Sequence, residues 1–181
     1  MKSIDLAAIA FCLVGFGCQH SGSVSNPLAK EAQQPPSSGH LSLTLQKREY
    51  RWTQDDLAGT RMIQAALQNL SDATYYSNLG DGFNSSLDQE NLYVGEGTNG
   101  VLEWQNPDGS WSVMSGGHLI EGTRFIALRS KQSYRLLASL YSWRGDETGQ
   151  FRFRVEYFDR FDPAPETQPL VDYSPTFTIS K

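Results

Sequence analysis

The sequence predicts an all-β fold: an antiparallel two-sheet sandwich of about seven to nine short strands, preceded by a signal peptide and a flexible tether. Three observations carry that expectation. Apolar and polar residues alternate with period two, most clearly Phe151, Phe153, Val155 and Tyr157 against Arg152, Arg154 and Glu156, the pattern of a strand with one buried face. Clusters of Gly, Pro, Asn and Asp punctuate such runs, and the 181 residues include 16 Gly and 8 Pro. No long amphipathic helix and no internal repeat interrupts them. With 39% hydrophobic and 12% aromatic residues, the chain has the material for one domain of ~100–150 residues plus accessory segments.

Residues 1–17 read as a signal peptide. Lys2 precedes a mostly apolar run from Leu6 to Gly17 (LAAIAFCLVGFG), and polar residues begin at Gln19. That run is too short for a bilayer core, which needs ~20 helical residues, and suits the apolar region of an export signal. Gly17-Cys18 at its end resembles a bacterial lipoprotein signal, in which a cysteine after a small residue is acylated and becomes the first residue of the mature chain. The resemblance implies lipidation at Cys18. Gly15 and Phe16 depart from the usual lipobox, whose Leu has its counterpart here only at Leu13; an ordinary export signal is the alternative. The other cysteine, Cys12, follows bulky Phe11, and five residues separate the two, which excludes a C-x-x-C redox motif.

Residues 18–39, with the run QHSGSVSNPLAKEAQQPPSSG, are rich in Ser, Pro and Gln and show no apolar period. Such a segment buries too little surface to offset its ordering entropy and is expected to be a tether.

The domain is expected over 40–181. Leu41, Leu43 and Leu45 open it as a strand, and Ile63, Ala65 and Leu67 repeat the alternation up to a turn at Asn69-Leu70-Ser71-Asp72. The Ala and Leu of GTRMIQAALQNL also allow a helix there. Asn91–Gly95 and Val101–Gln105 are short strands, and Asn106-Pro107-Asp108-Gly109 turns the second into Ser110–Met114. Across that hairpin Leu102 and Trp104 are expected to face Trp111 and Val113. Strands at Thr123–Leu128, Ser133–Trp143, Gln150–Phe158 and Pro175–Ile179 complete the set.

The run Glu147-Thr148-Gly149-Gln150-Phe151-Arg152-Phe153 resembles the start of strand F in immunoglobulin-like domains. Phe151 and Phe153 stand where those domains have Tyr and Cys, so the packing role carries over and the tyrosine-corner hydrogen bond does not. From Leu41 to Ser180 the chain also resembles bacterial exported immunoglobulin-like domains of the BsuPI proteinase-inhibitor type. The matching features are a first strand leading to Tyr50, the strand ending at Asn69-Leu70-Ser71, the Gly149–Tyr157 strand, and a last strand after Tyr173-Ser174-Pro175. That resemblance implies the fold and, as one functional option, protease inhibition through an exposed loop.

Chemistry is sparse. A net charge of −5 and a pI near 5.1 argue against nucleic acid as a partner, because affinity for it rests on Lys and Arg neutralising phosphates. No nucleophile elbow, zinc-protease, phosphate-loop or dinucleotide motif occurs, no cofactor is implied, and His118 follows Gly116-Gly117 in an expected loop. Oxygen ligands between Asp81 and Glu90 are compatible with calcium but lack EF-hand spacing, so a polar loop is the favoured reading. Arg144-Gly145-Asp146 spells a short recognition word with no supporting context. No Lys or Arg occurs between Met62 and Thr123, whereas eight fall between Arg124 and Arg160; neighbouring strands are expected to intermix these blocks. Trp52, Tyr75, Tyr76 and Trp143, with Arg152 and Arg154 on the outer side of their strand, are the candidate partner surface. The expected function is a non-catalytic binding or adaptor module of the cell envelope with a protein partner, held to the membrane by lipid at Cys18, or else secreted or periplasmic.

Overall fold

Twelve strands form in chain order: β1 (Leu41–Leu45), β2 (Glu49–Arg51), β3 (Met62–Asn69), β4 (Tyr75–Leu79), β5 (Asn91–Val94), β6 (Gly100–Gln105), β7 (Trp111–Val113), β8 (Arg124–Leu128), β9 (Ser133–Ser139), β10 (Gly149–Tyr157), β11 (Leu170–Tyr173) and β12 (Phe177–Ser180). The computed structural model describes residues 35–53, 57, 62–80, 91–95, 97–114, 124–140 and 148–181. Cys18, His118, Trp143, the segment Asp81 to Glu90 and Arg144-Gly145-Asp146 lie outside them. The expected all-β class holds, and the strand count exceeds the seven to nine expected.

The first sheet has the order β1-β3-β9-β5; the second runs β2-β12-β10-β6-β7, with β11 also pairing β10. Neither is purely antiparallel as expected, because β5 runs parallel to β9 and β2 parallel to β12. Strands that pair in parallel need a long crossover between them, and period-two alternation is silent about strand direction. The short ladder β4–β8 lies beside these sheets. It reaches β5 through a Gly80–Tyr93 bridge and the end of β10 through a Tyr76–Phe158 bridge.

The alternation dictates the core. Leu43, Ile63, Leu67 and Leu136 of the first sheet and Phe151, Phe153, Val155 and Phe177 of the second belong to one buried cluster. Phe177 packs against Phe151 and Phe153 at ring-centroid distances of 5.9 and 6.0 Å. Each such side chain contributes about 1.5–3 kcal/mol when fully buried. The helix alternative for the β3 region fails because Ile63, Ala65, Leu67 and Asn69 are buried in strict alternation. Asn69 ends β3 satisfied: its amide donates to Ala73 O (2.7 Å) and Leu128 O (2.9 Å) and accepts from Ser71 N at 3.0 Å. Gly100 is required by close approach, since a Cβ there would meet Val94 Cγ1 at 2.5 Å and Leu79 Cδ2 at 2.7 Å.

The hairpin register differs from the sequence expectation. Trp104 pairs with Ser112, while Trp111 and Val113 pair with Gln105 and Glu103. Trp111 and Val113 therefore share the outer face with Glu103, and Leu102 and Trp104 point the other way. The loop between the paired ends Gln105 and Trp111 is one residue longer than the four-residue turn implies, and one residue moves a whole strand to the opposite face.

Candidate functional site

Strand β10 sets the geometry of the outer face of the second sheet. Its inward residues are fully buried, so Arg152 and Arg154 must project outward, and the register puts Arg152 directly across from Glu103 of β6. Glu103 is itself buried. Its Oε2 accepts from Arg152 Nε and lies 2.7 Å from Arg152 Nη2, while Oε1 accepts from Arg154 Nη1 at 3.1 Å. Arg154 Nη2 also meets Glu156 at 3.1 Å. The acidic and basic blocks of the sequence intermix here as expected.

Two rings close on Arg152. Its guanidinium carbon sits 4.1 Å from the Trp111 ring centroid and 4.2 Å from that of Tyr173, close enough for cation–π attraction from both sides. Burial raises the Tyr173 phenol above its ordinary value, against the pull of Arg152. The result is a rigid, internally neutralised patch at one margin of the sheet.

That margin is β7. Met114 N donates to Leu102 O (2.9 Å) and Asn106 N to Ser110 O (2.8 Å), so the hydrogen-bonded pairs of this ladder are 102/114, 104/112 and 106/110. By alternation the N–H and C=O groups of Trp111 and Val113 point away from β6. Among the described residues nothing accepts from or donates to them. Val113 is 48% exposed, and the strand carries no Pro and no charge, the usual devices that blunt an edge.

Other edges are partly closed: on β1, Leu41 N is taken by Asp172 Oδ2 at 2.8 Å, while the backbone groups of Leu43 and Leu45 turn away from β3 as those of β7 turn away from β6; β5 is bridged by Gly80. Asp172 is the centre of a clasp. Its Oδ1 accepts from Ser37 Oγ and from Gly39 N (2.7 Å), and its Oδ2 from Leu41 N and Tyr157 Oη (2.6 Å). The Ser38 hydroxyl contacts the Tyr157 oxygen, and Ser38 N donates to Val171 O at 2.8 Å. Burial pushes the Asp172 carboxyl up, but the hydrogen bonds from Ser37, Tyr157, Leu41 and Gly39 outweigh it and hold the group below the ordinary carboxylate range. Burial and the bond to Asp172 raise the Tyr157 phenol. Residues 35–39, assigned to the tether by composition, thus belong to the compact unit Pro35–Lys181.

The sequence-predicted surface does not form one patch. Arg152 and Arg154 come together. Tyr75 is a core residue, 6% exposed, with its ring 5.0 Å from Tyr157 and 5.3 Å from His40, so it offers no partner surface. Trp52 is half-buried against the core. Tyr76 joins a separate aromatic group, 5.8 Å from Phe161, which in turn lies 6.0 Å from Phe125. Sequence reasoning missed Glu103, Trp111 and Tyr173 as the partners of Arg152. The signal available was Glu103, a single acid inside an otherwise uncharged strand, VLEWQ.

No protein-family model matches the chain, and no curated protein matches it. Among solved structures, the crystal structure of the periplasmic chaperone SfaE is similar at a TM-score of 0.38 and 14% identity, over 77% of this chain and 55% of that one. The chain therefore spans about half the length of that chaperone.

Proposed function

We propose that this is an exported, lipid-anchored, non-catalytic binding module with an immunoglobulin-like β-sandwich, and that it takes up an extended segment of a protein partner along β7. The β7 edge carries the reading: Trp111 and Val113 turn outward backbone groups that no described residue pairs, with apolar side chains on the outer face. Strand addition gives affinity through main-chain hydrogen bonds and selects side chains at alternate positions. The selected residues here are apolar or β-branched ones lying across from Trp111 and Val113. The lipobox-like Gly17-Cys18 supports anchoring, and the period-two pattern around Gly149–Tyr157 supports the immunoglobulin-like form.

A second reading, proteinase inhibition, follows from the resemblance to BsuPI-type domains and is favoured by one observation. The exposed loop 106–110 is pre-organised: Asp108 Oδ1 accepts from Ser110 N (3.0 Å) and Oγ (2.7 Å), and Asn106 donates to Ser110 and Ser112. A stiff exposed loop loses little entropy on entering a cleft.

The test is a photoreactive residue at position 113 of the full chain in a bacterial envelope, with intact-mass analysis of the mature protein. A covalent adduct with a non-protease protein, absent when Trp111→Lys is added, supports strand addition. Adducts formed only from position 108, with a protease whose turnover falls, support the inhibitor. A mature chain beginning at an unacylated residue removes the anchor from the proposal.

A further inference from the structure

The four strands of the first sheet contain one charged residue, Arg135 on β9. In a chain of net charge −5 this isolation has a physical consequence. Arg135 projects from the outer face, exposed, between Ala66 of β3 and Asn91 of β5. Among the described residues it makes no ion pair, and no carboxylate belongs to any strand of its sheet. The contrast is Arg152 on the other sheet, which is neutralised by Glu103 and held between two rings.

Arg135 stands at an open depression of about 530 Å³, lined also by Thr44, Gln46, Gln64, Ala66 and Ser133. That volume falls within the ~300–1,000 Å³ typical of small-molecule sites. The lining has a distinct chemistry. Ala66, whose side chain is only a methyl group, leaves the space open at the middle of the sheet, and around it stand two side-chain amides and two hydroxyls. Amides and hydroxyls both donate and accept, which matches ring hydroxyls that do the same. Leu45, Ala65 and Tyr134 border the depression as well, so a ligand meets apolar surface beside the polar groups.

We infer that this depression binds an acidic sugar, with the ligand's carboxylate on the Arg135 guanidinium and its hydroxyls on Gln46, Gln64, Thr44 and Ser133. A guanidinium offers a planar fork that matches a carboxylate. The neutral amides around it add hydrogen bonds without repelling the anion. This site lies on a different sheet from β7, so it stands whether or not the strand-addition reading does.

The test is titration calorimetry of the full chain with tetragalacturonate and with its fully methyl-esterified form, which keeps the hydroxyls and masks the charge. Binding of the acid with at least tenfold weaker binding of the ester is expected. Arg135→Gln should weaken the acid by about tenfold to a hundredfold, the usual effect of losing a charged hydrogen bond. Ala66→Leu, which fills the depression from an exposed position, should abolish binding with the unfolding transition retained. Equal affinity for acid and ester, equal affinity in Arg135→Gln, or no heat with the unmodified acid at millimolar concentration overturns the inference. So does tighter binding of an acidic peptide such as tetraglutamate, which would place the carboxylate chemistry on a protein ligand.

Discussion

Replacing Glu103 by Gln keeps the shape of the side chain and removes the charge that two arginines share. The Glu103 side chain is 3% exposed and that of Arg152 12%, close to the buried limit, where breaking a pair by removing one partner costs about 3–5 kcal/mol. The Arg154 side chain, 26% exposed, belongs nearer the surface limit of ~0.2–1 kcal/mol. Arg152 also keeps its contacts with Trp111 and Tyr173, worth ~0.5–2 kcal/mol, so its charge is not wholly stranded. These terms place the loss at about 3 kcal/mol. For a domain of this size each kcal/mol moves the midpoint by ~2–4 °C, so thermal unfolding should shift down by roughly 10 °C.

Urea unfolding followed by tryptophan fluorescence, at low salt and near 1 M salt, gives the decisive readout. At ~1 M the Debye length is ~3 Å and surface pairs are screened, whereas buried pairs are screened much less. The loss in Glu103→Gln should therefore persist at high salt. A double-mutant cycle with Arg152→Met should return a coupling of about 1.5–3 kcal/mol. A loss below ~0.5 kcal/mol, or one that vanishes at high salt, would refute the argument that this cluster behaves as a buried pair.

Four further outcomes are expected. Asp172→Ala strands the donors of Ser37, Gly39, Leu41 and Tyr157, so it should destabilise by about 3 kcal/mol and raise amide exchange at Gly39 and Leu41; unchanged exchange there would show that the clasp does not hold residues 35–39. Because the folded carboxyl lies below its unfolded value of ~3.9, the unfolded chain binds more protons in this window. The contribution of Asp172 is thus full above about pH 5 and is lost as pH falls through the folded value, so the parent should lose stability below ~pH 4 more steeply than Asp172→Asn. Gly100→Ala forces a methyl against Val94 and Leu79 and should cost about 1–3 kcal/mol, measured as a lower urea midpoint; a neutral result would mean that β5 and β6 separate easily at this point. Val113→Lys, at an exposed position, should change stability by less than ~0.5 kcal/mol while abolishing chemical crosslinks to the partner.

The residues that could be read in advance are those whose neighbours along the chain decide their environment. Phe151 to Tyr157 alternate because one side of β10 meets the core, and that is visible in seven consecutive letters. The strands that went unread lack such a run. In β4, Tyr75-Tyr76-Ser77-Asn78-Leu79 places two aromatics and two small polar residues together, and its burial depends on β8, about fifty residues away. In β11, Leu170-Val171-Asp172-Tyr173 carries a buried acid. Local polarity reads that acid as exposed, and only its donors from residues 37–41 and Tyr157 explain why it is not. The pattern likewise put Tyr75 on a surface, since an aromatic pair next to a turn is no different in sequence from one in a groove.

The site turns on a parity that no alternation reveals. Had the loop after β6 closed between Gln105 and Ser110 with four residues, Trp111 and Val113 would have joined Leu102 and Trp104 facing the core, and Arg152 would have had one ring instead of two. The fifth residue moves both side chains outward. Gly109, at φ 88°, takes a conformation that side chains resist, and Asp108 fixes the backbone beside it through Ser110. Deleting Gly109 therefore tests whether the loop or the strand sets the register. If the loop sets it, five residues are kept, Ser112 slides across from Gln105, and Trp111 and Val113 should turn inward, freeing Arg152 on one side and abolishing strand capture at position 113 while the β10–β6 ladder survives; a deletion variant that still captures its partner there would show that β7 keeps Trp111 across from Gln105 over a four-residue loop and sets its own register.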